Sequence, residues 1–205
     1  PVGWFWTYNR VKVLDEVAGQ DIGGNNIWYR IDGGWHPGAY VHSSFVDLMP
    51  QPFPSAEAAI PTEVGADEVW LDVDLGRNIL TLFEYDTPRF STYIAPGTPA
   101  FPTVTGIFHI QRKYLKKGMS GGPPRFPASY NLPDVPYTMY YHGSFAVHGT
   151  YWHDKFGTRQ SHGCTNLTQG DAEYIFEHTS PVLPQGQTAV TASAYDPGTI
   201  VYNHY

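Results

Sequence analysis

Between Val69 and Tyr85 the chain commits itself to β-structure. Val69, Leu71, Val73 and Leu75 alternate with Trp70, Asp72 and Asp74, a period of two that suits a strand and not a helix. Leu75-Gly-Arg-Asn78 supplies turn chemistry, and Ile79-Leu-Thr-Leu-Phe-Glu-Tyr85 reads as the returning strand. Phe90–Ala95 and Pro102–Ile110 follow as further strands, with no helical pattern between them. Successive strands without crossover helices predict an antiparallel sheet. The composition agrees: 21 Gly, 18 Pro and 16% aromatic residues against 15% charged ones favour many short strands joined by turns.

The alternation is preceded by a different kind of segment. Residues 1–49 carry short stretches of strand composition, Val11–Leu14 and Ile27–Ile31, separated by Gly23-Gly-Asn-Asn26 and followed by Asp32-Gly-Gly34. Tyr40–Val46 reads as a short strand and turn. The order Trp28-Tyr-Arg-Ile31, Gly33-Gly-Trp35, Gly38-Ala-Tyr-Val-His-Ser43 resembles the bacterial Src-homology-three-like domain, a small barrel attached to cell-wall enzymes. The other reading is an extra lobe that packs on the main domain, with Trp4, Trp6 and Trp35 in its core. Pro50, Pro52, Pro54 and Pro61 then mark residues 50–66 as a stiff linker, leaving 67–205 for the main domain.

The chemistry concentrates in Val147–Asn166. The only cysteine, Cys164, lies there, with His148 sixteen positions before it and His162 two before it. A thiol becomes a strong nucleophile when a base or cation makes it a thiolate, and most lone cysteines are simply small buried hydrophobes. The setting Ser161-His-Gly-Cys-Thr-Asn166 is polar and glycine-bearing, a poor lining for a core. Phe145–His148 pairs with Pro136–His142 as a hairpin around Gly143-Ser144, which mounts His148 at a strand end. Thr168, with Asp171 three residues on, is a helix N-cap. Ala172, Ile175 and Phe176 give that helix its apolar face, and Thr188–Thr191 reads as the last strand.

His148-Gly149 together with Ser161-His-Gly-Cys-Thr-Asn166 resembles the signature of the L,D-transpeptidase catalytic domain family. The likeness runs from residue 66 to about 192. It takes in Asp134–Tyr140, Tyr151-Trp-His-Asp154 and Thr103-Val-Thr-Gly-Ile-Phe108, with Val104 where the family has proline and Thr165 where it has Val or Ile. The resemblance implies a mainly β, antiparallel sandwich-like domain with one or two short helices, and a lid formed by residues 111–135. It implies Cys164 as nucleophile, His148 as base and the Gly149 carbonyl as the group that orients His148. The amides of Gly163 and Cys164 are candidates for the oxyanion hole. The base either takes the thiol proton during attack or shares it in a thiolate–imidazolium pair. His162 lines the substrate site or braces the loop; Ser161 and Asn166 are substrate contacts or braces; Tyr140 and Trp152 shape the cleft or fill a core. Arg112, Lys113, Lys116, Lys117 and Arg125 on the lid either steer an anionic stem or are merely solvated.

The implied substrate is a peptidoglycan tetrapeptide stem, cut before its terminal D-alanine and transferred to an amine in cell-wall cross-linking and shaping, with carbapenems as inhibitors. Hydrolysis of the same bond and turnover-free wall binding are the alternatives. An envelope location follows, with any signal or anchor outside this sequence. A net charge of −7 argues against nucleic acid, and no apolar run of eighteen residues occurs. His148, His153 and Asp154 do not have the spacing of a zinc site, so neither metal nor cofactor is expected. Papain-like and amidase-type peptidases place Cys before His, the reverse of the order here, and the caspase signature is absent.

Overall fold

The computed structural model describes residues 12–32, 38–46, 48, 60–122 and 129–205. Trp4, Trp6, Trp35, Arg125 and the linker prolines 50, 52 and 54 lie outside them. The chain divides into two compact units, residues 1–51 and 52–205.

In the first unit, β1 (Lys12–Ile22), β2 (Asn25–Asp32) and β3 (Tyr40–His42) form a three-stranded antiparallel meander. Gly23 and Gly24 both have positive φ in the β1–β2 turn, which a side chain would resist. The β1 strand runs eight residues past the expected Leu14, because its second half, largely exposed and without a clean alternation, is held by pairing with β2. His42 locks β3 in place: its Nε2–H donates to Asn25 O (3.0 Å), and Nδ1 accepts from Ser44 N–H (3.2 Å). Among the described residues this sheet is open; a closed barrel is not seen.

Among its described residues the second unit holds two five-stranded sheets and one α-helix. The first sheet has the order β6-β5-β4-β13-β7, from β4 (Val69–Asp74), β5 (Ile79–Glu84), β6 (Thr87–Tyr93), β7 (Gly106–His109) and β13 (Ile200–His204). The second has the order β11-β10-β9-β8-β12, from β8 (Arg112–Gly121), β9 (Tyr130–His142), β10 (Phe145–Gly149), β11 (Thr165–Leu167) and β12 (Ala189–Thr191). Leu71, Val73, Leu80, Leu82 and Val201 from the first sheet share one core with Met139, Tyr141, Val147 and Leu167 from the second. Ala172, Ile175 and Phe176 of α1 (Gln169–Glu177) complete it. Each fully buried aliphatic side chain contributes about 1.5–3 kcal/mol.

The helix starts where its cap directs: Thr168 Oγ1 accepts from Asp171 N–H (3.1 Å), while Asp171 accepts from Thr92 Oγ1–H (2.7 Å) and so ties α1 to β6.

Four expectations need correction. The sheets are not wholly antiparallel: β13 runs parallel to β4, and β11 parallel to β10. The last strand is β13, not β12, and it sits inside its sheet between β4 and β7. Residues 111–135 are no simple lid loop, because β8 pairs with β9 from Arg112↔Tyr140 out to Gly121↔Tyr130. Left-handed φ at Asp134 and Tyr137 and a register shift between Lys117 and Met119 break the period there, which hides the strands. Lys113 steers nothing. It is buried, and its ammonium donates to Phe176 O (2.5 Å) and Thr179 O (2.7 Å), closing the carbonyl end of α1 as a cation there should. Burial lowers its pKa to about 8.

The outer face of the first sheet is packed as well. Trp70 stacks on Phe83 (centroids 4.8 Å apart) beneath Val64 and Ile60, so residues 60–64 already belong with this unit. Among the described residues, no helix is long and apolar enough to cross a membrane.

Candidate active site

The site grows from the pairing of β10 with β11. Val147 lies opposite Thr165 and His148 opposite Asn166 in parallel register. Side chains alternate along a strand. Val147 and Leu167 therefore enter the core, while Ala146, His148, Cys164 and Asn166 share the other face. Tyr140 of β9, the partner of Ala146, joins them. Cys164, one residue before β11, stands diagonally from His148 beside this register.

Backbone bonds fix the approach to Cys164. Ala95 and Asn166 exchange N–H···O bonds (2.9 and 3.1 Å), Thr98 N–H donates to Ser161 O (3.0 Å) and Ser161 N–H to Pro96 O (3.1 Å). Arg159 donates to Gly97 O and Leu75 O. Inside the turn, Ser161 Oγ–H donates to Cys164 O (2.5 Å), and Gly163 N–H donates to Ser161 Oγ (3.0 Å). Gly163 has φ +118°, and a Cβ there would meet the Phe145 ring at 2.7 Å; only glycine fits.

This narrows two expectations. Of the two roles open to Ser161, the structure shows the brace: it is buried and hydrogen-bonded within the loop. The Gly163 amide faces Ser161, not an oxyanion, which leaves the Cys164 amide as the remaining donor from the expected pair.

His148 is 2% exposed. Its Nδ1 lies 2.9 Å from Gly149 O. A carbonyl only accepts, so Nδ1 carries the proton and Nε2 keeps its lone pair. Burial holds the imidazole well below its ordinary range, at about 4, against the opposing pull of the Gly149 bond; nearby His153 pushes the same way as burial. Cys164 is partly accessible, but its thiol is hemmed in by protein. It points at Ser144 O (3.6 Å), and burial pushes its pKa up to about 11 despite a backbone hydrogen bond from Ala146. Both shifts favour the uncharged forms, a neutral thiol and a neutral imidazole.

Around the thiol lies an aromatic wall. Tyr130, Tyr140, Trp152 and Cys164 pack against Met119, Val135 and Ala146, and Trp152 lies 5.8 Å from the His148 ring. His162 is exposed between Phe101 (4.6 Å) and Tyr130 (5.1 Å), a stack that joins the β8–β9 hairpin to the 97–103 turn. Sequence reasoning did not single out Tyr130 or Phe101, because ring stacking across distant segments leaves no local pattern. It weighed His153 only as a metal ligand. In the structure His153 sits against Asn166, with 3.0 Å between its Nε2 and the amide.

The geometry can be set beside known proteins. The family model of the L,D-transpeptidase catalytic domain, YkuD, matches residues 68–202. The probable L,D-transpeptidase ErfK/SrfK of Escherichia coli (strain K12) is 32% identical over 93 residues, 45% of this chain and 30% of that protein. The probable L,D-transpeptidase YbiS of the same strain is 33% identical over 92 residues, again 45% and 30%. The chain thus matches less than a third of the length of these relatives. Among solved structures, an L,D-transpeptidase from Mycobacterium smegmatis superposes with a TM-score of 0.56 at 23% identity, over 67% of this chain and 59% of that one. The catalytic domain of the Enterococcus faecium enzyme gives 0.51 at 21% identity, over 67% and 98%. With the model covering well over half its length, the chain belongs to the L,D-transpeptidase catalytic domain family.

Proposed function

We propose that this chain cross-links peptidoglycan as an L,D-transpeptidase with Cys164 as its nucleophile. The observation that carries the reading is the tautomer of His148: Nδ1–H is held by Gly149 O, leaving the Nε2 lone pair on the face that bears Cys164. His148 Nε2 removes the thiol proton as Sγ attacks the amide carbonyl between stem residue three and the terminal D-alanine. The tetrahedral oxyanion is met by the Cys164 amide. Collapse breaks the C–N bond, His148 returns the proton to the departing amine, and a thioester remains. An acceptor amine attacks that thioester, loses a proton to His148 and restores the thiol.

The neutral resting pair suits this sequence, since a buried thiol ionised only on demand resists idle oxidation. The aromatic wall of Tyr130, Tyr140 and Trp152 keeps water away from the thioester, which favours transfer over hydrolysis. A structure similar to this chain, LdtMt1, is described in complex with imipenem (TM-score 0.56, 21% identity), and we extend carbapenem acylation to Cys164. We place the protein in the cell envelope, where its substrate is. Residues 1–49 we read as a Src-homology-three-like module serving the same wall.

Intact-mass measurement after incubation with a carbapenem, beside turnover of a tetrapeptide stem, tests the proposal. One adduct and D-alanine release are expected, both lost in Cys164→Ala. An adduct that persists in the variant would reject Cys164.

A further inference from the structure

The basic residues of this chain are unevenly spread. It holds 12 Lys and Arg against 19 Asp and Glu, yet Arg112, Lys113, Lys116 and Lys117 fall within six positions, all on β8. Lys113 is buried and bound to carbonyls; the other three are exposed. The ladder between β8 and β12 covers residues 112–114 only. Lys116 and Lys117 lie beyond it, where among the described residues β8 has no strand on that side. Lysines on such an edge guard it against pairing with another chain. Arg112 has no edge to guard, because it lies between β9 and β12.

Arg112 instead ends a row that starts at the thiol. Ala146 N–H donates to Cys164 Sγ, Ala146 pairs with Tyr140, and Tyr140 pairs with Arg112. Directly opposed residues share a face of the sheet, so Arg112 stands on the face that carries Cys164. Two strand steps, about 10 Å, separate it from Ala146. Its guanidinium lies over the Tyr140 ring, with 5.3 Å from Cζ to the centroid, and Tyr114 meets the same ring edge-on at 6.1 Å. Tyr140 and Cys164 pack against one apolar cluster. The Tyr140 phenol feels both ends of the row: burial raises its pKa, Cys164 raises it further and Arg112 lowers it.

Arg112 lacks an anion. The exposed Arg30 and Arg89 pair with Asp15 and Glu84, whereas no carboxylate among the described residues pairs with Arg112. An aromatic face steadies a cation without neutralising it. A guanidinium held in this way presents a planar fork that matches a carboxylate, as a lysine does not.

We propose that Arg112 is a specificity-determining residue: its guanidinium, steadied on Tyr140, takes a carboxylate of the bound peptide within about 10 Å of the thiol. That the peptide is a peptidoglycan stem rests on the transpeptidase reading. Extended peptide spans that distance in about three residues. The carboxylate of the terminal D-alanine and that of an acidic residue just before the cut both fall within reach.

Steady-state kinetics on the full chain separate the two sources, with three tetrapeptide stems: both carboxylates free, the terminal one amidated, or the internal one amidated. For the wild type, KM rises about tenfold on one of the amidated stems. Arg112→Gln raises KM for the free stem by the same factor, with little change in kcat, and no longer tells that amidated stem from the free one. The stem whose discrimination is lost names the carboxylate. Arg112→Lys keeps part of the preference, having the charge without the fork. Lys116→Gln, which removes the same charge from the edge, leaves the preference intact. A wild type that turns over all three stems alike, an Arg112→Gln variant that still discriminates, or an equal loss in Lys116→Gln overturns the proposal while the transpeptidase reading stands. A folded wild type inert to every stem rejects that reading, and the proposal falls with it.

Discussion

Trp70 and His148 occupy the same kind of place. Each lies on an inner strand of a five-stranded sheet, on the face turned from the shared core, and each is buried. Around Trp70 the face is filled: Phe83 stacks on it, Ile60, Val64 and Ile200 close over it, and its Nε1–H donates to Tyr85 O (2.7 Å). Around His148 the same alternation delivers Cys164, Asn166 and Tyr140, and the buried Asn166 amide keeps one end unpartnered. A packed face and a reactive face differ only in which residues fall on the alternate positions. Two sheets that share one core can therefore differ in what their outer faces hold, one filled by packed side chains and the other carrying titratable ones.

The sharpest test of that division is a pair of truncations. Cys164→Ala should abolish stem turnover while moving the melting temperature by no more than a few degrees; measurable turnover would place the chemistry elsewhere. Trp70→Ala should do the reverse. It is expected to cost about 3–5 kcal/mol by urea unfolding, with kcat/KM of the folded fraction unchanged. A fall in kcat/KM would show that the packed face supports the site.

A second comparison uses pH. His148 has its folded pKa lowered to about 4, so the folded state favours the neutral ring. Its contribution is complete above the unfolded value near 6.5 and is lost as pH falls toward 4, on the order of 3 kcal/mol. In His148→Gln that part of the acid slope should disappear; an unaltered slope would assign the loss to other groups. Cys164 is raised to about 11, so its alkylation by iodoacetamide should climb about tenfold per pH unit from 7 to 10. A plateau below pH 8 would mean a preformed thiolate–imidazolium pair.

The smallest effect is expected at Lys113. Removing its ammonium in Lys113→Met leaves the Phe176 and Thr179 carbonyls without that donor, for a loss of about 1–3 kcal/mol and no change in kcat/KM. A kinetic defect there would extend the active face to the helix end.

How much of this was legible follows from which interactions are local. The β4–β5 hairpin is readable because alternation and turn residues adjoin, and the helix because Thr168 and Asp171 cap it within one turn. The Cys-His motif is readable because its loop is one short stretch. The β8–β9 pair is not, since bulges break its period and Lys113 looks like a solvated charge while lying 1% exposed. Nor is β13, whose parallel partner is far away in sequence. The stack of Phe101, His162 and Tyr130 joins three separated segments.

The placement of β13 also bears on how the molecule comes into being. Its backbone fills the gap between β4, at residues 69–74, and β7, at 106–109. Until residues 200–204 are available, both of those strands present unpaired edges lined with apolar side chains, the kind of surface that recruits other chains. Closure across so long a separation is slow, and no shorter piece of the unit offers a stable stopping point. A chain cut before Ile200 should accumulate as aggregate rather than as a smaller folded domain.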